Sequence, residues 1–273
     1  MTNNYERTPV FANLVYSDPK SDCKYLLGKK NVRSTLLAGY SLGAVMIITA
    51  MLIAYAIIFS TPLIKDEYAI YQVALIYASV WSGIFLLLPG IYCGMYSVLL
   101  KISIGEKADS ADLFKYYMSP RMYIRSIGIF LRSNWFLFGV GCLLVITSLA
   151  SGFIEAVTAE GVKTFIIDAL DSVIVLYLII GSIIWSVSRR KISIFLPYAI
   201  ECPQVPLKKC RAMAKNMNTF YYAKSYPNDF LITFLWLLLS LSTVGILFVV
   251  HVGPMMMAKK ICFYRSSTVN KFN

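Results

Sequence analysis

Asp168 and Asp171 stand three residues apart inside the apolar run FIIDALDSVIVLYLIIGSIIWSVS, so a helix carries both carboxylates on one face. Carboxylates at membrane depth mark ion or proton sites. Against that reading, Asp168 follows Lys163 by only a few residues, where water reaches, and acids near a helix N-terminus are favourable through the dipole alone. His251 is the single imidazole and lies near the middle of the last apolar run, just before Gly253-Pro254. An imidazole titrates near neutral pH, but a lone histidine without an acidic neighbour in sequence is more often a hydrogen-bonded packing residue. Arg125 and Arg132 are one heptad apart and can face one groove, although Arg132 reads equally as an interfacial anchor that snorkels. Asp168, Asp171, Arg132 and His251 form the candidate intramembrane polar site.

No G-x-x-x-x-G-K-[ST], H-E-x-x-H or G-x-S-x-G occurs, so the enzyme classes that rest on those motifs are unsupported. Cys23, Cys93, Cys142, Cys202, Cys210 and Cys262 make no C-x-x-C pair, and one histidine gives zinc no partner set. They fall in membrane segments or in loops read as cytoplasmic, which fits reduced, packed thiols and not a disulfide framework. The sequence assigns no catalytic residue, no cofactor and no metal ligand.

What must position any site is a set of membrane helices. Of the 273 residues, 58% are hydrophobic and 15% charged, against about a quarter charged in soluble domains. There are 26 Lys and Arg against 14 Asp and Glu, a net charge of +12. On a soluble protein that excess suggests nucleic acid; in a polytopic chain it is the bias of cytoplasmic loops, and nucleic acid is not expected as a partner. The N-terminal stretch MTNNYERTPVFANLVYSDPKSDCK has acidic residues and no apolar h-region, so it is not read as a cleaved signal.

Crossing a hydrocarbon core takes about 20 apolar residues as helix. The runs Leu36 to Ser60, Gln72 to Leu100, Trp135 to Ile154 and Phe165 to Ser188 meet that length, and Phe230 to Ser242 and Ile246 to Ala258 are shorter, split by Thr243-Val244-Gly245. The basic clusters lie in the N-terminal segment, the second and fourth connections and the tail, while the first and third connections each hold one lysine beside two acids. Five spans would put the basic tail outside; six put every basic cluster on one side. The expected fold is therefore all-α, a six-span protein with both termini cytoplasmic. It divides into a cytoplasmic segment 1–34, a membrane domain 35–265 and a tail 266–273.

Short amphipathic segments flank the spans. In Leu207 to Met217 one arc holds Leu207, Cys210, Met213, Ala214 and Met217 and the other Lys208, Arg211 and Lys215, the pattern of a helix in the plane of anionic headgroups. The competing reading packs that apolar arc on the protein's own helices. Met122 to Leu131 is expected to run along the interface before Trp135 enters the bilayer. Asp109 to Met118 is read as a helix with Asp109 as N-cap and Asp112 three residues on, ending before Pro120. Its face of Leu113, Phe114, Tyr117 and Met118 serves either as a coupling surface or as a structural bracket. The bracket predicts that removing Phe114 costs about 3–5 kcal/mol. Leu113, Phe114, Tyr117, Lys208, Arg211 and Lys215 are thus the candidate partner or interfacial surface.

Three stretches, LPGIYCGMYSVLLKISIGEKADSADLFKYY, FLPYAIECPQVPLKKCRAMAKNM and FLITFLWLLLSLSTVGILFVVHVGPMMMAKKICFYR, resemble in that order a bacterial integral-membrane family known as domain of unknown function 975. The likeness rests on Gly105-Glu106-Lys107 and Asp112-Leu113-Phe114 after the second span, Pro197-Tyr198 near the fourth, and Phe263-Tyr264 at the end of the last. It implies six helices, a bacterial plasma membrane and no known catalytic residues. The chain is also similar to permease subunits of ATP-driven exporters, which would require a separate nucleotide-binding subunit. The resulting expectation is a non-catalytic membrane protein in transport, export or envelope assembly, with the bilayer and other membrane proteins as partners. The rival readings are the exporter permease and a membrane enzyme acting on lipid.

Overall fold

The computed structural model describes residues 26–28, 32–60, 69–157, 160–216 and 253–272, and every regular element among them is helical. Helix α1 covers Val32–Ser60, α2 Ala69–Ser103, α3 Pro120–Ser133, α4 Trp135–Val157, α5 Glu160–Glu201, α6 Leu207–Asn216 and α7 Gly253–Phe272, with a 3-10 turn at Ser110–Phe114 before α3. Among the described residues, two stretches, Val32–Ala56 and Ala78–Ser103, are long and apolar enough to cross a bilayer. Pro120–Ser133 and Phe138–Thr147, bent by 81° at their junction, make a third if they are taken as one span. The run Phe230 to Ser242 and the first part of Ile246 to Ala258, His251 included, lie outside the described residues.

Two elements differ from the sequence expectation. Helix α5 does not stop near Ser188; its 42 residues run on for roughly 63 Å at 1.5 Å per residue, about twice a hydrocarbon core. Arg189, Arg190 and Lys191 do not end it because long basic side chains are good helix formers. Beyond them Ile194, Phe195, Leu196, Ala199 and Ile200 give the helix a second buried stretch. Conversely, Asp109 to Met118 is not an α-helix. It forms five residues of 3-10 helix followed by turns, with the Asp109–Asp112 capping box at its start and the Leu113 backbone seated against Gly94 of α2.

The described residues fall into two compact units. Unit 1 takes those within Met1–Ser41, Gly90–Ile124 and Arg190–Asn273, and unit 2 those within Leu42–Pro89 and Arg125–Arg189.

Unit 1 has a dense core. Leu36 of α1, Ile91, Tyr96 and Leu99 of α2, Ile194 and Leu196 of α5, Cys210 of α6 and Ile261 and Tyr264 of α7 are all buried. Its organising feature is the bare face of α2 made by Gly90 and Gly94, four residues apart. The Leu113 backbone lies against Gly94 and the Tyr117 ring against Gly90, so closely that a Cβ at either position would collide. Small residues at this spacing let another piece of backbone approach a helix. That is what the Pro-Gly-Ile-Tyr-Cys-Gly stretch supplies: the chain leaves α2, turns, and lies back on it. The Tyr40 hydroxyl donates to Met257 Sδ at 3.2 Å, and the Lys260 ammonium stands 5.8 Å from the Tyr96 ring centre, within cation–π range.

Unit 2 is held by aromatic rings. Phe85 of α2 stacks on Trp81 at 5.7 Å and receives Phe130 of α3 and Phe138 of α4 edge-on at 5.5 and 4.8 Å. Those two edge contacts bracket the bend at Asn134. Helices α4 and α5 meet through Phe136 stacked on Tyr177 at 5.7 Å. Much of the rest is apolar and exposed: Val45, Ile48, Leu52 and Ile53 on α1, and Val173, Leu176, Ile180, Ile183 and Ile184 on α5.

Candidate functional site

The polar groups of unit 1 gather at the C-terminal end of α2. There the helix is closed by Gly105, whose φ of 81° only a residue without Cβ adopts readily. Glu106 N–H donates to Lys101 O and Gly105 N–H to Ile102 O, both at 3.0 Å, the pair of bonds that defines a Schellman stop. The Gly-Glu-Lys motif is therefore a helix terminator.

Four residues later the chain is recaptured. Asp109 caps the 3-10 turn, and Asp112 completes a reciprocal capping box by accepting Asp109 N–H at 3.0 Å. The other Asp112 oxygen takes the Lys101 ammonium at 2.6 Å. One carboxylate thus joins the last turn of α2 to the start of the returning segment. Burial by itself would push the Asp112 carboxyl up; the Lys101 ammonium and the Asp109 N–H outweigh it and hold it below the usual carboxylate range. Lys101 also opposes the negative end of the α2 dipole.

Ser103, two residues on, faces a second junction. Its hydroxyl donates to Leu100 O at 2.6 Å and accepts Arg265 Nε–H at 3.0 Å. The same guanidinium donates through Nη1 to Glu201 Oε1 at 2.8 Å, and the Tyr264 hydroxyl donates to Glu201 Oε2. Arg265 is buried, its side chain only 6% exposed against 22% for Glu201. Burial, then the neighbouring Glu201 carboxylate, push the Tyr264 hydroxyl above its ordinary value and keep it a donor. Glu201 is the last residue of α5, where the helix dipole disfavours an acid. Arg265 and Tyr264 of α7 supply the compensation. The site is an ionic junction that ties the C-terminal ends of α2 and α5 to the middle of α7.

Of the residues singled out from sequence, Leu113 is buried against α2, while Phe114 is 43% and Met118 74% exposed. Tyr117 is half-buried on Gly90 with the Tyr123 ring 5.5 Å away. On α6 Cys210 and Ala214 are buried, and Lys208, Arg211, Met213 and Lys215 are exposed. The apolar seam of α6 therefore packs on the protein itself, and its cations face outward. Arg132 is exposed in the last turn of α3 and donates to Gly128 O at 3.4 Å. Asp168 and Asp171 lie on the backbone of α5 three residues apart. No disulfide joins Cys93, Cys142, Cys202, Cys210 or Cys262, and no three metal-binding side chains converge among the described residues.

Sequence reasoning missed Ser103, Glu201, Tyr264 and Arg265. Two signals pointed there: Glu201 is the only acid between Asp171 and Asp229, and Arg265 directly follows the apolar Ile-Cys-Phe-Tyr run. No protein family, curated protein or solved structure matches the chain.

Proposed function

We propose that this chain is a six-span membrane protein with both termini in the cytoplasm, non-catalytic, acting in transport, export or envelope assembly as a partner of other membrane proteins. The resemblance to domain of unknown function 975 adds a bacterial plasma membrane to that proposal. The observation that carries it is the use made of the charged residues in unit 1. Lys101, Asp112, Glu201 and Arg265 are spent on fastening helix ends to one another, as a scaffold requires. In further support, the ends of α2 and α5 and the Tyr264–Arg265 stretch share one junction, as six spans obeying the charge rule demand. A reporter fused after Asn273 and cysteine labels in the second and fourth connections should all read cytoplasm. Labelling of the tail from outside would overturn the topology. Co-purification from native membrane, with identification of the bound chains, tests the partner role; a chain that emerges alone under mild extraction counts against it.

Exposure of Phe114 and Met118 favours a second reading, the permease subunit of an ATP-driven exporter. In that case a nucleotide-binding subunit docks on these two side chains, since exposed apolar groups beside a satisfied core mark contact surfaces. Substituting both by Asp should then release such a subunit and leave the melting of the isolated chain unchanged.

A further inference from the structure

Unit 1 brings two cysteines together where α5 passes into α6. Cys202 follows Glu201, the last residue of α5, and its N–H donates to Tyr198 O at 3.0 Å. Its carbonyl accepts Val205 N–H at 3.2 Å, and the Val205 carbonyl accepts the Cys210 thiol at 3.6 Å. Val205 thus joins the pair, bonded to Cys202 through its N–H and to Cys210 through its oxygen. The Tyr198 side chain marks the same convergence. Burial, then the neighbouring Cys202 and Cys210 sulfurs, push its hydroxyl above the ordinary value, and Cys202 is also its hydrogen-bond partner.

The two thiols differ in access. Cys202 is half-buried, whereas Cys210 is buried in the first turn of α6. Lys208, Lys209 and Arg211 flank Cys210 and are exposed, and α6 carries no acid; neighbouring cations favour a thiolate. An accessible thiol with a second held beside it is the arrangement in which an oxidised sulfur is resolved by its neighbour. We propose that Cys202 and Cys210 are a peroxide-sensitive pair that closes to a disulfide, fastening α6 to the end of α5. The Cys202 thiolate attacks one peroxide oxygen and the O–O bond breaks, giving a sulfenic acid and a hydroxide that is protonated to water. The Cys210 sulfur then attacks the Cys202 sulfur, the S–O bond breaks, and the departing hydroxide takes the Cys210 proton as a second water. The thiols lose an electron pair and the peroxide gains it. On the cytoplasmic side proposed for this connection, such a pair rests reduced and its disulfide is transient. The pair goes beyond the scaffold reading and does not depend on it.

The test treats the full chain, reduced and held in mild detergent, with hydrogen peroxide, then blocks remaining thiols and digests with trypsin. Cleavage after Lys208 and Lys209 separates the two cysteines, so their disulfide appears in mass spectra as two fragments joined, lighter by the hydrogens lost, and parted again by reductant. That joined pair is expected before oxidation of Cys93 and Cys262, which are buried in α2 and α7. Cys210→Ser should lose the joined pair and leave Cys202 as a sulfenic acid that dimedone traps. Cys202→Ser should lose it too and leave Cys210 unoxidised behind its cover. An unaltered protein that yields no joined fragments overturns the proposal, whatever the variants do. So does oxidation of Cys202 and Cys210 no faster than that of Cys93 and Cys262, because the pair is then ordinary packing. Disulfide-linked dimers in place of the internal link would assign Cys202 to a contact between copies of the chain and equally overturn it.

Discussion

Unit 1 and unit 2 solve different problems with similar helices. Unit 1 buries Ser103, Ser193 and Arg265 alongside large apolar side chains and joins its helix ends with ion pairs. Unit 2 leaves Leu52, Leu176, Ile183 and other apolar residues open and packs through rings and glycines, with Gly141 against Trp81 and Gly139 against Tyr177. Both candidate spans, Val32–Ala56 and Ala78–Ser103, pass through the two units, so the contrast lies in how much apolar surface each leaves exposed. A face turned to water gains from apolar burial at about 25 cal/mol per Å². A face turned to lipid gains nothing from hiding apolar surface, so association there depends on close packing and hydrogen bonds.

The sharpest way to break the contrast is at the ionic junction. Glu201→Ala leaves Arg265 buried without its carboxylate and should lower stability by about 3–5 kcal/mol, measured by thermal unfolding in detergent. Glu201→Leu combined with Arg265→Met should recover most of that loss, because an apolar pair of similar volume replaces a buried ion pair at little cost. If the double variant melts as low as the single, the junction is more than a fastening.

Next in size is the paired truncation. Leu113→Ala in unit 1 should cost about 2–5 kcal/mol as a core truncation, whereas Ile183→Ala, 61% exposed in unit 2, should stay within about 0.5 kcal/mol. Similar losses at both positions would erase the distinction between the two units.

Acid supplies a smaller effect confined to unit 1. The folded Asp112 carboxyl lies below its ordinary value, so its contribution is fully present above the unfolded value and is lost as pH falls through the folded one. Asp112→Asn should be less stable near neutrality and should flatten the acid limb of the stability–pH curve. An unchanged acid limb would mean that the Lys101 pair contributes nothing.

The smallest effect is at Phe114. Being 43% exposed, it should cost about 1 kcal/mol or less on truncation to Ala, well under the figure that full burial in a bracket requires. A loss of several kcal/mol would show that Phe114 is covered in the working protein.

Much of the helix layout was legible from sequence. Run length located α1, α2, α4 and α5, and Asp109 was readable as a cap from its position before Asp112; Pro120 was read as a stop, and α3 was placed at Met122 to Leu131, inside its actual bounds Pro120–Ser133. The apolar arc of α6 was legible from its helical spacing, but not which part is buried: Cys210 and Ala214 are, while Met213 of the same arc is exposed. The continuation of α5 was hidden by Arg189, Arg190 and Lys191, which mark a membrane boundary without ending a helix. The 3-10 turn was hidden because apolar spacing over so few residues fits either helix type. Glu201 and Arg265 could not be paired, since nothing local links residues 64 apart. The part played by Gly94 is visible only once the Leu113 backbone is seen resting on it.

Sequence separation also sets an order of assembly. Lys101 meets Asp112 across 11 residues, so that contact can close while α4 is still being synthesised, before most of the chain exists. Arg265 must reach Ser103 across 162 residues, and long closures wait for the intervening chain. Until α7 is made, Glu201 is a carboxylate stranded at the unfavourable end of its helix. A nascent chain stalled before α7 therefore lacks both the partner of that carboxylate and the Ile261 and Phe263 side chains of the core, and the arrival of α7 supplies them together.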